Sequence, residues 1–181
     1  MEYIVILYIT GCSKSSTNID EYLKSGEHID SYAKNVMPDI SKLPKYKNIE
    51  YRYNNQSKIL INSDAMLLVV QYDDETYKNE KVKLASNYKF LDKKVLLEGS
   101  DDTYTIPEYE FSINSYNFKI VDENNKKGLG YPKSFGMIAT SDEKKSIAYL
   151  YFYDSDLDYI GKKDEKDSMT NFVKSNFKYD F

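Results

Sequence analysis

Four acids near the C-terminus have the residue types and the spacing of a cation loop. Asp154, Asp156, Asp158 and Glu165 stand at positions one, three, five and twelve of a run from which an EF-hand draws oxygen ligands for calcium. Position six of such a loop must be glycine for the sharp turn, and here it is Tyr159. The flanking residues also follow a strand pattern rather than a helical one. The acids are therefore a metal candidate by spacing alone, and a solvated acidic turn is the expectation. His28 is the only histidine, and nothing supplies the Cys/His partners of a zinc site. A Ser-His-acid arrangement would have to use it, and there is no Gly-x-Ser-x-Gly elbow. Gly128-Leu129-Gly130 is too short to cradle a phosphate and opens no helix. No catalytic set, no cofactor and no enzyme activity are expected. Tyr149, Tyr151 and Tyr153 alternate along one strand pattern, as do Tyr51 and Tyr53 along another. Tyrosine is large, amphipathic and loses little entropy when immobilised, which suits recognition, so the first three are a candidate partner surface. With no tryptophan in the chain, tyrosine must also do routine packing.

The lone cysteine carries a different chemistry. Residues 3–9 form a short apolar run that ends in Ile9-Thr10-Gly11-Cys12. This stretch resembles the lipobox of bacterial membrane lipoproteins: a branched apolar residue, two small residues, then cysteine. The resemblance covers about a dozen residues. It implies that the thiol of Cys12 is diacylglycerylated, that residues 1–11 are a signal peptide removed on processing, and that the protein is held at the cell membrane on its extracytoplasmic face. Residues 12–18, small and polar, then read as a tether, and 19–181 as one globular domain. By composition alone, residues 2–9 also fit a β-branched strand. The run is too short to span a bilayer, which takes about 20 apolar residues.

Composition narrows the partners. Lys and Arg number 25 against 29 Asp and Glu, for a formal charge of −4, and the lysines are interleaved with acids, as in Asp142-Glu143-Lys144-Lys145. Nucleic acid needs clustered positive charge and is excluded as a partner on this ground. At 181 residues with 41% hydrophobic side chains, the chain can bury one substantial core without disulfides. Its Lys, Asn, Ile and Tyr bias is like that of low-GC Gram-positive bacteria.

The elements that must position these residues follow from periodicity. Asn18 caps a helical arm through Ile19 and Tyr22, and Ile29, Tyr32, Ala33 and Val36 make a second apolar stripe that closes before Pro38. Ile49, Tyr51 and Tyr53 alternate with polar residues as a half-exposed strand, with a turn expected at Asn54-Asn55-Gln56 and an answering strand over 58–62. After a polar break at Ser63-Asp64, residues 65–72 are apolar on both faces and belong in the middle of a sheet. Acids at 73–75 start a helix reaching Tyr88. Short strands at 95–97 and 104–106, a hairpin about Asn114-Ser115, a mobile loop over 122–130, strands over 135–140 and 146–153, and another over 157–160 come next. The chain closes on a helix whose stripe is Met169, Phe172, Val173 and Phe177.

The fold expected is α+β: a single antiparallel sheet of about five to seven strands, with helices packed mainly on one face. Two functions fit. One is an extracytoplasmic, lipid-anchored, non-catalytic binding or interaction module with a protein or small-molecule partner. The other is an immunity or inhibitor-type protein that meets a protein partner through an acidic or tyrosine-rich surface.

Overall fold

The computed structural model describes residues 12–22, 33–58, 61–122 and 134–181. Its centre is a run of four long strands. Asn48–Lys58 (β2) and Ile61–Gln71 (β3) pair over their full lengths, and β3 pairs on its other side with Ser146–Asp154 (β9). Ser134–Ser141 (β8) follows β9. Cys12–Ser16 (β1) adds one edge, and Tyr116–Ile120 (β7) and Glu110–Ile113 (β6) the other, giving seven strands in the order β1-β2-β3-β9-β8-β7-β6. All these pairings are antiparallel. A second, three-stranded sheet is built from Val95–Leu96 (β4), Thr103–Ile106 (β5) and Gly161–Lys162 (β10), in the order β10-β5-β4. The helices are Ala33–Val36 (α1), Asp74–Asn87 (α2) and Ser168–Phe177 (α3).

The antiparallel expectation holds for the large sheet, and the second sheet is an addition to it. Residues 157–160 are loop, and the strand that follows them, β10, pairs with β5. The helices do not share a face. Strand period two sends Ala65, Leu67 and Val69 of β3 to one side and Met66, Leu68 and Val70 to the other. The first side is closed by α3 through Met169, Val173 and Phe177, together with Phe181. The second is closed by α1 through Ala33 and Val36 and by α2 through Tyr77 and Leu84. A strand run that is apolar on both faces demands this, because a helix on one side alone would leave the other wet.

Local chemistry fixes where the helices sit. Asp73 caps α2, accepting from the Thr76 N–H at 2.8 Å and from its hydroxyl at 2.9 Å. These bonds hold the Asp73 carboxyl below its ordinary range. Asp167, before α3, lies in the left-handed region and gives no side-chain cap. Glu108 supplies one from the β5–β6 connection, accepting from the Met169 N–H at 3.0 Å. Helix α1 rests on Gly136 of β8. A Cβ there would lie 2.3 Å from a methyl of Val36, so glycine is what lets the short helix touch the sheet.

Residues 12–16 were expected to be part of a tether and instead form an edge strand, with Cys12 opposite Ser57 and Ser16 opposite Tyr53. Small polar residues suit an edge whose outer side faces water. The turn expected at Asn54-Asn55-Gln56 is also absent. β2 runs on to Lys58, and Ser63-Asp64 is no break, since β3 begins at Ile61. The reason is a network of side-chain bonds across the hairpin among Tyr53, Asn55, Asn62 and Asp64. Only the 3-10 turn Ile19–Glu21 and α1 represent the expected helical arm among the described residues. The loop over 122–130 lies outside the described residues save for Asp122.

Candidate functional site

The tyrosines singled out on β9 are interior. Tyr149 is 4% exposed and Tyr151 not exposed at all, and Tyr153 is half-buried. Tyr151 stands beside Gly136, where α1 makes its close approach, so helix and turn cover the face that was a candidate partner surface. Tyr51 and Tyr53 are buried in the same layer. The ionisation of the Tyr149 phenol is pushed up, chiefly by burial.

The acidic turn after β9 is described in full, and its groups do not converge. Asp154 accepts from the Asp156 N–H at 2.7 Å. Asp158 lends its main-chain carbonyl to the Thr105 hydroxyl at 3.4 Å. Glu165 accepts from the Lys162 N–H at 3.1 Å. The first and last of these close local turns, and the second ties the loop to β5. Among the described residues, no group of three or more His, Cys, Asp or Glu is placed to hold a metal ion. His28 and Gly128-Leu129-Gly130 lie outside the described residues, as does the stretch 1–11. Cys12 is described as the first residue of β1.

The chemically densest cluster is one that the sequence reading missed. On the face shared by Tyr51 and Tyr53, at the β2–β3 hairpin end, Asp64 is 1% exposed. The Tyr53 hydroxyl donates to its Oδ1 at 2.5 Å, and the Asn55 amide donates to the same oxygen at 2.9 Å. The Asn62 amide donates to Oδ2 at 2.9 Å. The Asn55 amide also reaches Asn62 Oδ1 at 2.8 Å. Asn62 is tied in turn to the end of β9, its N–H donating to the Ser155 hydroxyl at 2.9 Å. A buried carboxylate needs such donors to be tolerated. With both oxygens engaged, Asp64 locks the hairpin. Burial first, then the bond to Asp64, pushes the Tyr53 phenol up, so it stays a donor. The signal was the parity of Tyr53-x-Asn55 and Asn62-x-Asp64, legible only once β2 is run on to Lys58 and β3 is begun at Ile61. Asn54, pointing to the opposite face, donates to the Phe177 carbonyl at 3.0 Å and the Asn176 carbonyl at 3.3 Å, so it too has a structural task.

Among the clefts lined by described residues are the following two. One, of about 170 Å³, lies between α2 and β7–β8, with Leu84, Phe90 and Ile138 on its floor and Lys81 and Lys119 at its rim. Both lysines are engaged: Lys81 meets Asp142 at 2.6 Å and Lys119 meets Glu110 at 3.6 Å. The other, of about 430 Å³, runs along β2 beyond the end of β1 and contains Arg52 and Tyr179. Arg52, the only arginine in the chain, sits 5.7 Å from the centre of the Tyr179 ring, a cation–π contact. The Tyr179 hydroxyl donates to Glu50 at 3.2 Å. No ion pair to Arg52 forms among the described residues.

Among the described residues no helix is long and apolar enough to cross a membrane. Compared with family models, with curated proteins and with solved structures, the chain matches none.

Proposed function

We propose that this protein is an extracytoplasmic, lipid-anchored binding module without catalytic activity. The observation that carries the reading is the Ile9-Thr10-Gly11-Cys12 sequence together with the position of its cysteine. Cys12 opens the edge strand β1, so a lipid attached at that residue would hold the domain close to the bilayer. A diacylglyceryl group brings two chains, enough for stable anchoring where one acyl chain gives only marginal binding. The non-catalytic half of the reading is supported by Asp64, the only carboxylate buried among the described residues, whose oxygens are both occupied by the donors of its own hairpin.

The test is metabolic labelling of the full-length protein with radiolabelled palmitate in a Gram-positive host. Incorporation that disappears in Cys12→Ala is the expected result. An unlabelled wild-type chain in the same cells overturns the anchor.

A further inference from the structure

Glu50 and Arg52 carry opposite charges two residues apart on β2, and strand period two puts them on one face, roughly 7 Å apart along the chain. They do not pair with each other, and among the described residues neither enters any ion pair. Tyr179 holds both. Arg52 Cζ sits 5.7 Å from its ring centre, and its hydroxyl donates to Glu50 Oε2 at 3.2 Å. The Asn48 amide donates to Glu50 Oε1 at 3.2 Å. Among the described residues the carboxylate thus has two neutral donors and no cation, and the half-buried guanidinium has a ring and no anion. Both groups line the cleft of about 430 Å³, within the range of about 300–1,000 Å³ of small-molecule sites.

We propose that this cleft binds a free amino acid with an aliphatic side chain, its carboxylate on Arg52 and its ammonium group on Glu50. A guanidinium held over an aromatic ring is preorganised for a carboxylate. A purely anionic ligand would satisfy Arg52 and meet Glu50 as a like charge, and a purely cationic one would do the reverse. A zwitterion engages both. With charge-assisted contacts of about 2.8 Å at each end, the adjacent charges of an α-amino acid span the gap. The cleft also has an apolar part. Ile19 and Ile49 line it and pack against the tyrosine side of the core, which gives an aliphatic side chain a surface to cover.

A peptide is a poorer occupant. Residues 17–19 of the chain itself line the cleft, so it is bounded where an extended partner segment would have to run. Each peptide terminus, moreover, brings one charge where the site offers two. The inference rests on the binding-module reading proposed above and names the ligand class for it. It is independent of the anchor, since palmitate labelling and amino-acid binding fail separately.

The probe is L-leucine, titrated against the full chain by calorimetry beside three analogues: 4-methylpentanoic acid, which lacks the ammonium group, 3-methylbutylamine, which lacks the carboxylate, and N-acetyl-leucine amide, which lacks both charges. Leucine is expected to bind saturably, and each analogue at least about tenfold more weakly, as the loss of a charged contact implies. Glu50→Gln, at an exposed position, should weaken leucine to the level of 4-methylpentanoic acid. Arg52→Gln should weaken it to the level of 3-methylbutylamine. The analogue series is read on the native chain, so it decides the matter even if a variant does not fold. No binding of leucine at millimolar concentration, equal affinity for leucine and any one of the analogues, or leucine binding indifferent to Glu50→Gln overturns the proposal.

Discussion

The two faces of the central sheet solve the same problem with different aromatic residues. Under α3 and the C-terminus the buried rings are mostly phenylalanine: Phe118, Phe135, Phe152, Phe177 and Phe181, with Tyr116 the buried tyrosine among the described residues. Under α1 and α2 they are tyrosine: Tyr22, Tyr51, Tyr53, Tyr72, Tyr77, Tyr149 and Tyr151, with no buried phenylalanine. The coverings differ in the same sense. A regular helix satisfies its own main chain, so α3 can lie on rings that have no polar atom. The other face is closed in part by a four-residue helix and by turns, whose carbonyls have no helical partner. Tyrosine hydroxyls meet them: Tyr22 donates to the Pro38 carbonyl at 2.9 Å and Tyr88 to the Val36 carbonyl at 3.2 Å. Tyr77 similarly donates to Asp142 at 2.6 Å. Irregular cover is thus pinned by directional bonds from the turn at Tyr22 and from α2 and its C-terminal cap.

Substitutions in each face separate the two modes. The largest loss is expected from Phe152→Ala on the phenylalanine face. Its ring lies 4.7 Å from that of Phe172 and 5.9 Å from that of Phe135, and truncation should cost about 3–5 kcal/mol in denaturant unfolding through transfer and cavity terms. Tyr53→Phe keeps the ring and removes one donor from buried Asp64. A loss of about 2 kcal/mol is expected, since bonds to charged groups fall near that size. A neutral outcome would mean that the tyrosine face packs like its counterpart. Gly136→Ala pushes a methyl into Val36 and should cost about 1–3 kcal/mol by overpacking, with loss of the Tyr88 contact visible as a changed tyrosine signal. Tyr72→Phe should be the smallest, within about 0.5 kcal/mol of wild type or stabilising. Its hydroxyl is buried without a partner among the described residues, and removing an unsatisfied group sacrifices no bond.

The contrast also explains what could be read from the sequence. Period two over β3 and β9 and the 3.6 stripe of α3 are properties of neighbouring residues, so the large sheet and the last helix were visible, as was the hairpin about Asn114-Ser115. Side-chain partners distant in sequence were not. Asn54, Asn55, Asn62 and Asp64 have turn-forming chemistry, and only their cross-strand bonds make them strand residues. The opposite placement of α2 and α3 is written in the two-sided apolar run at 65–72, whose consequence for the helices was not drawn. The tyrosines of β9 looked like a surface because tyrosine serves both inside and outside, and what buries them is the fit of Val36 to Gly136. Where β1 stops along β2 is likewise something that periodicity cannot give.

The most direct test of the tyrosine face is an alkaline titration that follows tyrosinate absorbance and far-ultraviolet circular dichroism together. Burial pushes the phenols of Tyr22, Tyr53, Tyr72, Tyr77 and Tyr149 above the ordinary 10.0. A group raised in the fold stabilises it fully below its unfolded value, and that stability is lost as pH climbs through the raised one. The account predicts that this buried set ionises well above the ordinary value, and only as the dichroism collapses. Ionisation of all the tyrosines near the ordinary value, with the dichroism intact, would contradict it.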